Sequence, residues 1–148
     1  MVAELKPEEL INFGEKAVQA AMKRGAEEAE AFFSRSSSIS VDIERGQIIR
    51  NVKMVDQGLG VRAVYKRAVG FSYTNTLTDK TLKETAVRAF RSAKASKPDE
   101  NWEGFPSPKK LGVTKNTHDK RIVILSSDEL LKMASLMLDV AEGYDERV

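Results

Sequence analysis

The chain has 148 residues, 41% of them hydrophobic and 31% charged, which fits a folded chain with a real core and excludes a disordered one. Lys and Arg number 24 against 22 Asp and Glu, a formal charge of +2 that falls short of the one-sided excess of a dedicated nucleic-acid binder. Zero cysteines exclude disulfides, iron–sulfur clusters, thiolate zinc sites and a cysteine nucleophile, and a single histidine, His118, excludes a His-pair metal site.

No apolar run approaches the ~20 residues of a membrane-spanning helix. The N-terminal stretch holds Glu4 and Lys6 where a signal peptide would be apolar, so a cytoplasmic location without membrane contact is expected.

The first periodic segment runs from Pro7 to about Arg24. Leu10, Phe13, Ala17 and Ala21 recur at three- and four-residue steps, with Glu8 and Glu9 at the positive end of the helix dipole. Gly25 suits the left-handed residue that stops such a helix.

From Ala26 to Tyr73 the period changes to two. Ala29, Ala31 and Phe33 alternate with polar residues, as do Ile39, Val41 and Ile43. Glu44-Arg45-Gly46-Gln47 reads as a hairpin turn. Further alternating sets follow at Ile48–Met54, Leu59–Tyr65 and, after the basic turn Lys66-Arg67, Val69–Tyr73. The serine run Ser34, Ser36, Ser37, Ser38 and Ser40 reads as a hairpin connection, and Gly58-Leu59-Gly60 as a turn or bulge, since no helix follows to make it a phosphate loop. Short strands with short turns argue for an antiparallel sheet.

A second helix is predicted from about Thr78 to Ala95, with Leu82, Ala86, Ala89, Phe90 and Ala93 on its apolar side. Thr78 or Thr81 caps it, and the alanines allow close approach to a sheet. Lys97 to about Lys120 holds the three remaining prolines and reads as a surface excursion. Arg121–Leu125 is expected to be a brief strand. Ser126 with Glu129 forms a capping box for a last helix that Gly143 ends; its broad apolar face is expected to fold back on the sheet or to meet another segment.

The expected fold is therefore α+β: an N-terminal helix, a mostly antiparallel sheet of about four or five strands, and two further helices packing on it. The expected divisions are residues 1–97 as an α+β domain, 98–125 as a linker with a short strand, and 126–148 as a helix that begins a truncated second domain.

Four residues stand out as candidates to line an interface or a cavity. Arg62 lies between Val61 and Ala63 on a strand and points opposite to them, as a surface charge, a sheet-face ion pair or an interface contact. Asp56 is its expected partner. Phe71 and Tyr73 share one face of the last strand. Trp102 and Phe105 are possible stacking platforms beside Arg88, Arg91, Lys94, Lys97, Lys109 and Lys110, but Asp99, Glu100 and Glu103 are interleaved, so a solvated charged face is the plainer reading. His118 sits in a polar loop-like stretch and reads as solvated.

Asp56-Gln57-Gly58-Leu59-Gly60-Val61-Arg62-Ala63-Val64, then Gly70-Phe71-Ser72-Tyr73 and an alanine-spaced helix, resemble the N-terminal region of TldD/PmbA-type metalloproteases. The opening helix, the Gly25–Glu30 entry to a strand, the Glu44-Arg45-Gly46 turn and Leu125-Ser126 before Glu129-Leu130 extend the resemblance over nearly the whole chain, with a leaning toward TldD. The resemblance implies a cytoplasmic peptide-degrading or peptide-maturing zinc enzyme that works as a dimer of large subunits. Its zinc is implied to sit on an HExxxH helix and a distant cysteine, and this chain has neither. No catalytic, cofactor or metal residue is carried over, and zinc belongs to complete members.

The expectation is a non-catalytic N-terminal domain, from a truncated or split member, that shapes a substrate cavity and a subunit interface through Asp56, Arg62, Phe71 and Tyr73. Its expected partners are a second copy or a complete TldD/PmbA-type subunit, with peptide met only in the intact assembly. The alternatives are a stand-alone binding module for RNA or single-stranded DNA, drawing on Tyr65, Tyr73 and Trp102, and a regulatory partner of a complete protease subunit.

Overall fold

A computed structural model describes residues 6–107, 109, 112 and 114–145. The elements run α1 (Pro7–Lys23), β1 (Glu28–Glu44), β2 (Gln47–Tyr65), β3 (Ala68–Thr74), α2 (Asp79–Ala95), α3 (Lys120–Val123) and α4 (Ser127–Tyr144). The expected Lys110 of the basic cluster and the charged N-terminal residues through Leu5 lie outside the described residues.

The α+β class holds, but the described sheet has three strands, in the order β1-β2-β3, rather than four or five. The difference comes from the lengths of β1 and β2, which are 17 and 19 residues. Ser36–Ser38 are extended strand rather than a connection, and Gly58 and Gly60 sit inside β2 without positive φ. Where both faces of a strand stay in water no burial enforces alternation, so the period-two signal fades without the strand ending.

Two-residue turns join the strands. Arg45 (φ 50°) and Gly46 (φ 71°) connect β1 to β2, and Lys66 (φ 50°) and Arg67 (φ 63°) connect β2 to β3. Positive φ at both central residues suits the right-handed twist of the paired strands. β2 and β3 are antiparallel, with Arg62 opposite Phe71, Gly60 opposite Tyr73 and Val64 opposite Val69.

The chain divides into two compact units. One comprises Met1–Arg35 and Asp56–Pro108. Its core gathers Ala17 and Ala21 of α1, Leu59, Val61 and Ala63 of β2, and Leu82, Ala86 and Ala89 of α2. Ala29, Ala31 and Phe33 of β1 pack against this cluster, as their alternation predicted. The helices also hold each other, through packing and through an ion pair of 2.8 Å between Lys16 and Asp79.

The alanine stripe of α2 has its counterpart on β3. A Cβ added at Gly70 would lie 2.1 Å from the Ala93 nitrogen, so helix and strand meet with no side chain between them. Thr78 caps α2, its hydroxyl accepting from the Thr81 N–H at 3.2 Å while the Thr81 hydroxyl accepts from the Thr78 N–H. Gly25 (φ 103°) follows α1, as expected of a stop.

The other unit comprises Ser36–Val55 and Lys109–Val148. Its strand portions form a crevice of about 390 Å³ with the later helices, lined by Ile39, Lys53, Ile122, Leu125 and Leu130. Arg121–Leu125, expected as a strand, instead lies in and just after the four-residue helix α3. Asp119 is the reason: its carboxylate accepts from the Arg121 N–H at 2.9 Å and binds the Arg121 guanidinium, capping a helical turn. The Ser126–Glu129 box opens α4 as predicted, with the Glu129 carboxylate accepting from the Ser126 N–H at 2.8 Å. Gly143 does not end α4, which continues to Tyr144.

Candidate functional site

The alternation that buries Val61 and Ala63 turns Arg62 to the other face of the sheet. There it forms an ion pair with Glu30 of β1. This pairing replaces the expected one with Asp56, which stands six residues earlier on β2, about 20 Å away at the rise of a strand. Asp56 is exposed and makes no ion pair among the described residues.

The guanidinium of Arg62 also lies over the Phe105 ring, 5.0 Å from its centroid. Phe105 meets Trp102 edge to face at 5.1 Å. Glu28, two residues before Glu30 and therefore on the same face, anchors the irregular segment that carries both rings. Its Oε1 accepts from the Trp102 indole N–H at 3.0 Å and its Oε2 from the Phe105 backbone N–H at 2.7 Å. These two donors, the backbone N–H foremost, hold the Glu28 carboxyl below its ordinary value. Trp102 and Phe105 are thus half-buried parts of a strap rather than free stacking platforms.

Beside this strap the same face carries exposed aromatics. Phe71 and Tyr73 are stacked at 6.3 Å. Gly60 makes room for them, since a Cβ there would stand 3.0 Å from the Phe71 ring. Phe32 continues the phase of Glu28 and Glu30 on β1. Phe32, Phe71 and Tyr73 are 71%, 57% and 71% exposed. Around the edge of β3, Phe71, Tyr73, Asn75 and Arg88 line an open cleft of about 600 Å³. Arg88 is held there by the hydroxyls of Ser72 (3.2 Å) and the buried Thr85 (3.0 Å). Tyr65, counted with the exposed rings in the sequence, is half-buried edge-on against Phe90 at 5.6 Å.

Of the four predicted residues, the structure brings Arg62, Phe71 and Tyr73 onto one face and leaves Asp56 apart. Glu28, Glu30, Phe32 and Phe105 were missed. A signal existed for the first three, which alternate with the core residues Ala29, Ala31 and Phe33; none existed for Phe105, whose segment has no period. No three His, Cys, Asp or Glu side chains cluster among the described residues, and His118 is exposed.

Residues 29–93 match PmbA/TldA metallopeptidase domain 1. Over those residues the chain is similar to the N-terminal region of TldD/PmbA-family proteins. The match takes in the exposed face except Glu28 and the strap it anchors. An uncharacterised protein of Methanocaldococcus jannaschii is 28% identical over 127 residues, 86% of this chain and 28% of that protein. The crystal structure of TldE from Thermococcus kodakarensis superposes with a TM-score of 0.74 at 24% identity, over 94% of this chain and 29% of that one. A Bacteroides thetaiotaomicron structure described as a candidate modulator of DNA gyrase gives 0.78 at 24% identity, over 99% of this chain and 33% of that one. The chain thus spans about a third or less of the length of the relatives it matches. No helix among its described residues is long and apolar enough to cross a membrane.

Proposed function

We propose that this TldD/PmbA-type region is a non-catalytic part of a cytoplasmic peptide-processing metalloprotease, serving subunit assembly and forming one wall of the substrate cavity. The observation that carries the reading is the outer face of the sheet, where Phe32, Phe71 and Tyr73 stand in water beside the Arg62–Glu30 pair. Three large rings on one sheet face are an unusual expense of apolar surface unless another surface or an extended substrate covers them. Arg62, paired and stacked, adds a fixed polar edge to that surface.

The non-catalytic part of the proposal rests on the sequence: with one histidine and no cysteine, these 148 residues cannot assemble the ligand set that the family resemblance implies. Zinc and the water it activates belong, in this reading, to the partner or to the rest of such an enzyme.

Co-expression with a complete TldD/PmbA-type subunit tests the reading. A complex is expected, with amide exchange slowed in β3 and with capture weakened by the double change Phe71→Ala/Tyr73→Ala. Absence of a complex at micromolar concentrations, or chelator-sensitive peptide cleavage by the chain alone, would overturn it.

A further inference from the structure

Arg88 stands in the cleft beside β3 in a fixed attitude. Its Nε donates to the Ser72 hydroxyl at 3.2 Å and its Nη2 to the Thr85 hydroxyl at 3.0 Å, so two oxygens fill the side-on edge of the guanidinium. Ser72 belongs to β3, and Thr85, wholly buried, to the preceding turn of α2. An exposed arginine ordinarily samples many rotamers, and holding it in one costs conformational entropy. Here strand and helix each hold one end of the same edge.

An arginine carries five N–H groups. With two of them donated to the hydroxyls, the Nη1–Nη2 edge is left intact, and this is a fork that matches the two oxygens of a carboxylate. Among the described residues no acid takes it. Glu84, one turn earlier on α2, joins no ion pair, and every ion pair is made elsewhere. Phe71, Tyr73 and Asn75 line the cleft with Arg88, and no second cation of the described residues does. The Asn75 side-chain oxygen accepts from the Thr76 hydroxyl at 3.4 Å, which leaves its NH2 group to donate. One positive charge in a planar fork suits a singly charged, planar anion on an apolar body, whereas a phosphate dianion ordinarily draws further cations.

We infer that the cleft is a carboxylate subsite, in which the Nη1–Nη2 edge of Arg88 takes a carboxylate of an extended peptide while an apolar side chain of that peptide lies against Phe71 and Tyr73. Thr85 is a positioning residue that keeps the guanidinium plane turned into the cleft. This rests on the proposed role as a wall of the substrate cavity and names what that wall grips. The carboxylate belongs either to a peptide's C-terminus or to an acidic side chain.

The side-chain Nε–H signal of Arg88 in heteronuclear NMR reads the subsite directly. Titration with N-acetylphenylalanine at millimolar concentration is expected to shift that signal and the amides of Phe71 to Asn75, while the uncharged N-acetylphenylalanine amide leaves them in place. The blocked dipeptide acetyl-Phe-Glu-amide separates the two sources: a response like that of the free acid admits acidic side chains, and its absence restricts the subsite to chain ends. Arg88→Gln abolishes the response, and Arg88→Lys, which keeps the charge but not the fork, weakens it about tenfold. Thr85→Val weakens the preference for acid over amide with the charge still in place, and Thr85→Ser, which keeps a hydroxyl, retains it. A merely structural threonine would change stability in both variants without touching that preference. Equal shifts from acid and amide, an equal response to inorganic phosphate, or an Arg88→Gln chain that responds as the parent does, overturns the subsite. A chain that a complete TldD/PmbA-type subunit captures, but whose Arg88 signal no carboxylate moves, overturns the subsite alone and leaves the proposed function standing.

Discussion

Gly70 and Ala93 meet backbone to backbone: a Cβ on Gly70 would stand 2.1 Å from the Ala93 amide nitrogen and 2.2 Å from the Ala89 carbonyl oxygen. No rotamer relieves such an overlap, because backbone atoms and not a flexible side chain stand in the way. Gly70→Ala must push α2 off β3 and open the core around Leu82 and Ala86. A loss of about 3 kcal/mol is expected in urea unfolding. An unchanged unfolding midpoint would mean that helix and strand do not meet as described.

The Glu28 anchor gives a prediction with its own reporter, since Trp102 is the only tryptophan in the chain. Removing both accepting oxygens by Glu28→Ala frees the strap, shifting Trp102 emission to the red and raising its accessibility to quenchers. The pH dependence follows from the direction of the carboxyl's shift. Its folded-state value is depressed below the ordinary 4.5, so the stabilisation is fully present above that value and is lost as pH falls through the lower one. The difference in melting temperature between the parent and Glu28→Gln should therefore be constant at neutral pH and shrink on acidification below about 4.5. A difference that instead grows in acid would refute the assignment.

The Arg62–Glu30 pair is expected to matter little for stability. Both groups are partly in water, where such a pair is worth within about 1 kcal/mol. Arg62→Ala should lower the unfolding free energy by no more than that, and added salt should erase most of the effect. A larger loss, insensitive to salt, would locate the contribution in the stacking on Phe105.

At the first hairpin turn, Arg45 occupies the left-handed region (φ 50°) with its side chain almost wholly in solvent. Asn-Gly is the favoured pair for such a turn, so Arg45→Asn should stabilise the protein by roughly 0.5 kcal/mol. Thermal unfolding of the single variant checks it, and destabilisation would mean that the 3.9 Å ion pair of Arg45 with Glu44 outweighs the turn preference.

Much of the first unit was legible because burial and period coincide in it. Ala29, Ala31 and Phe33, then Leu59, Val61 and Ala63, then the alanines of α2 all alternate against one core, so each could be assigned a face. Arg62 could be placed on the outer side for the same reason. Its partner could not, since the choice between Asp56 and Glu30 depends on which strand lies beside β2, a long-range fact that spacing does not encode. The merging of short predicted strands into β1 and β2 and the helical turn at α3 were missed for complementary reasons. Exposed strand has no hydrophobic rhythm, and Asp119 caps a segment too short to display one.

The two units interleave along the polypeptide: Ser36–Val55 is inserted between the two stretches of the first unit and joins residues after Pro108 to make the second. No single cut can therefore release either unit whole. During synthesis the arm of the hairpin, carrying Ile49, Met54 and Val55, emerges well before the helices that share its unit, which begin at Lys120. Until they follow, that stretch stands without its companions, and a holdase would find the nascent protein in need of shelter there.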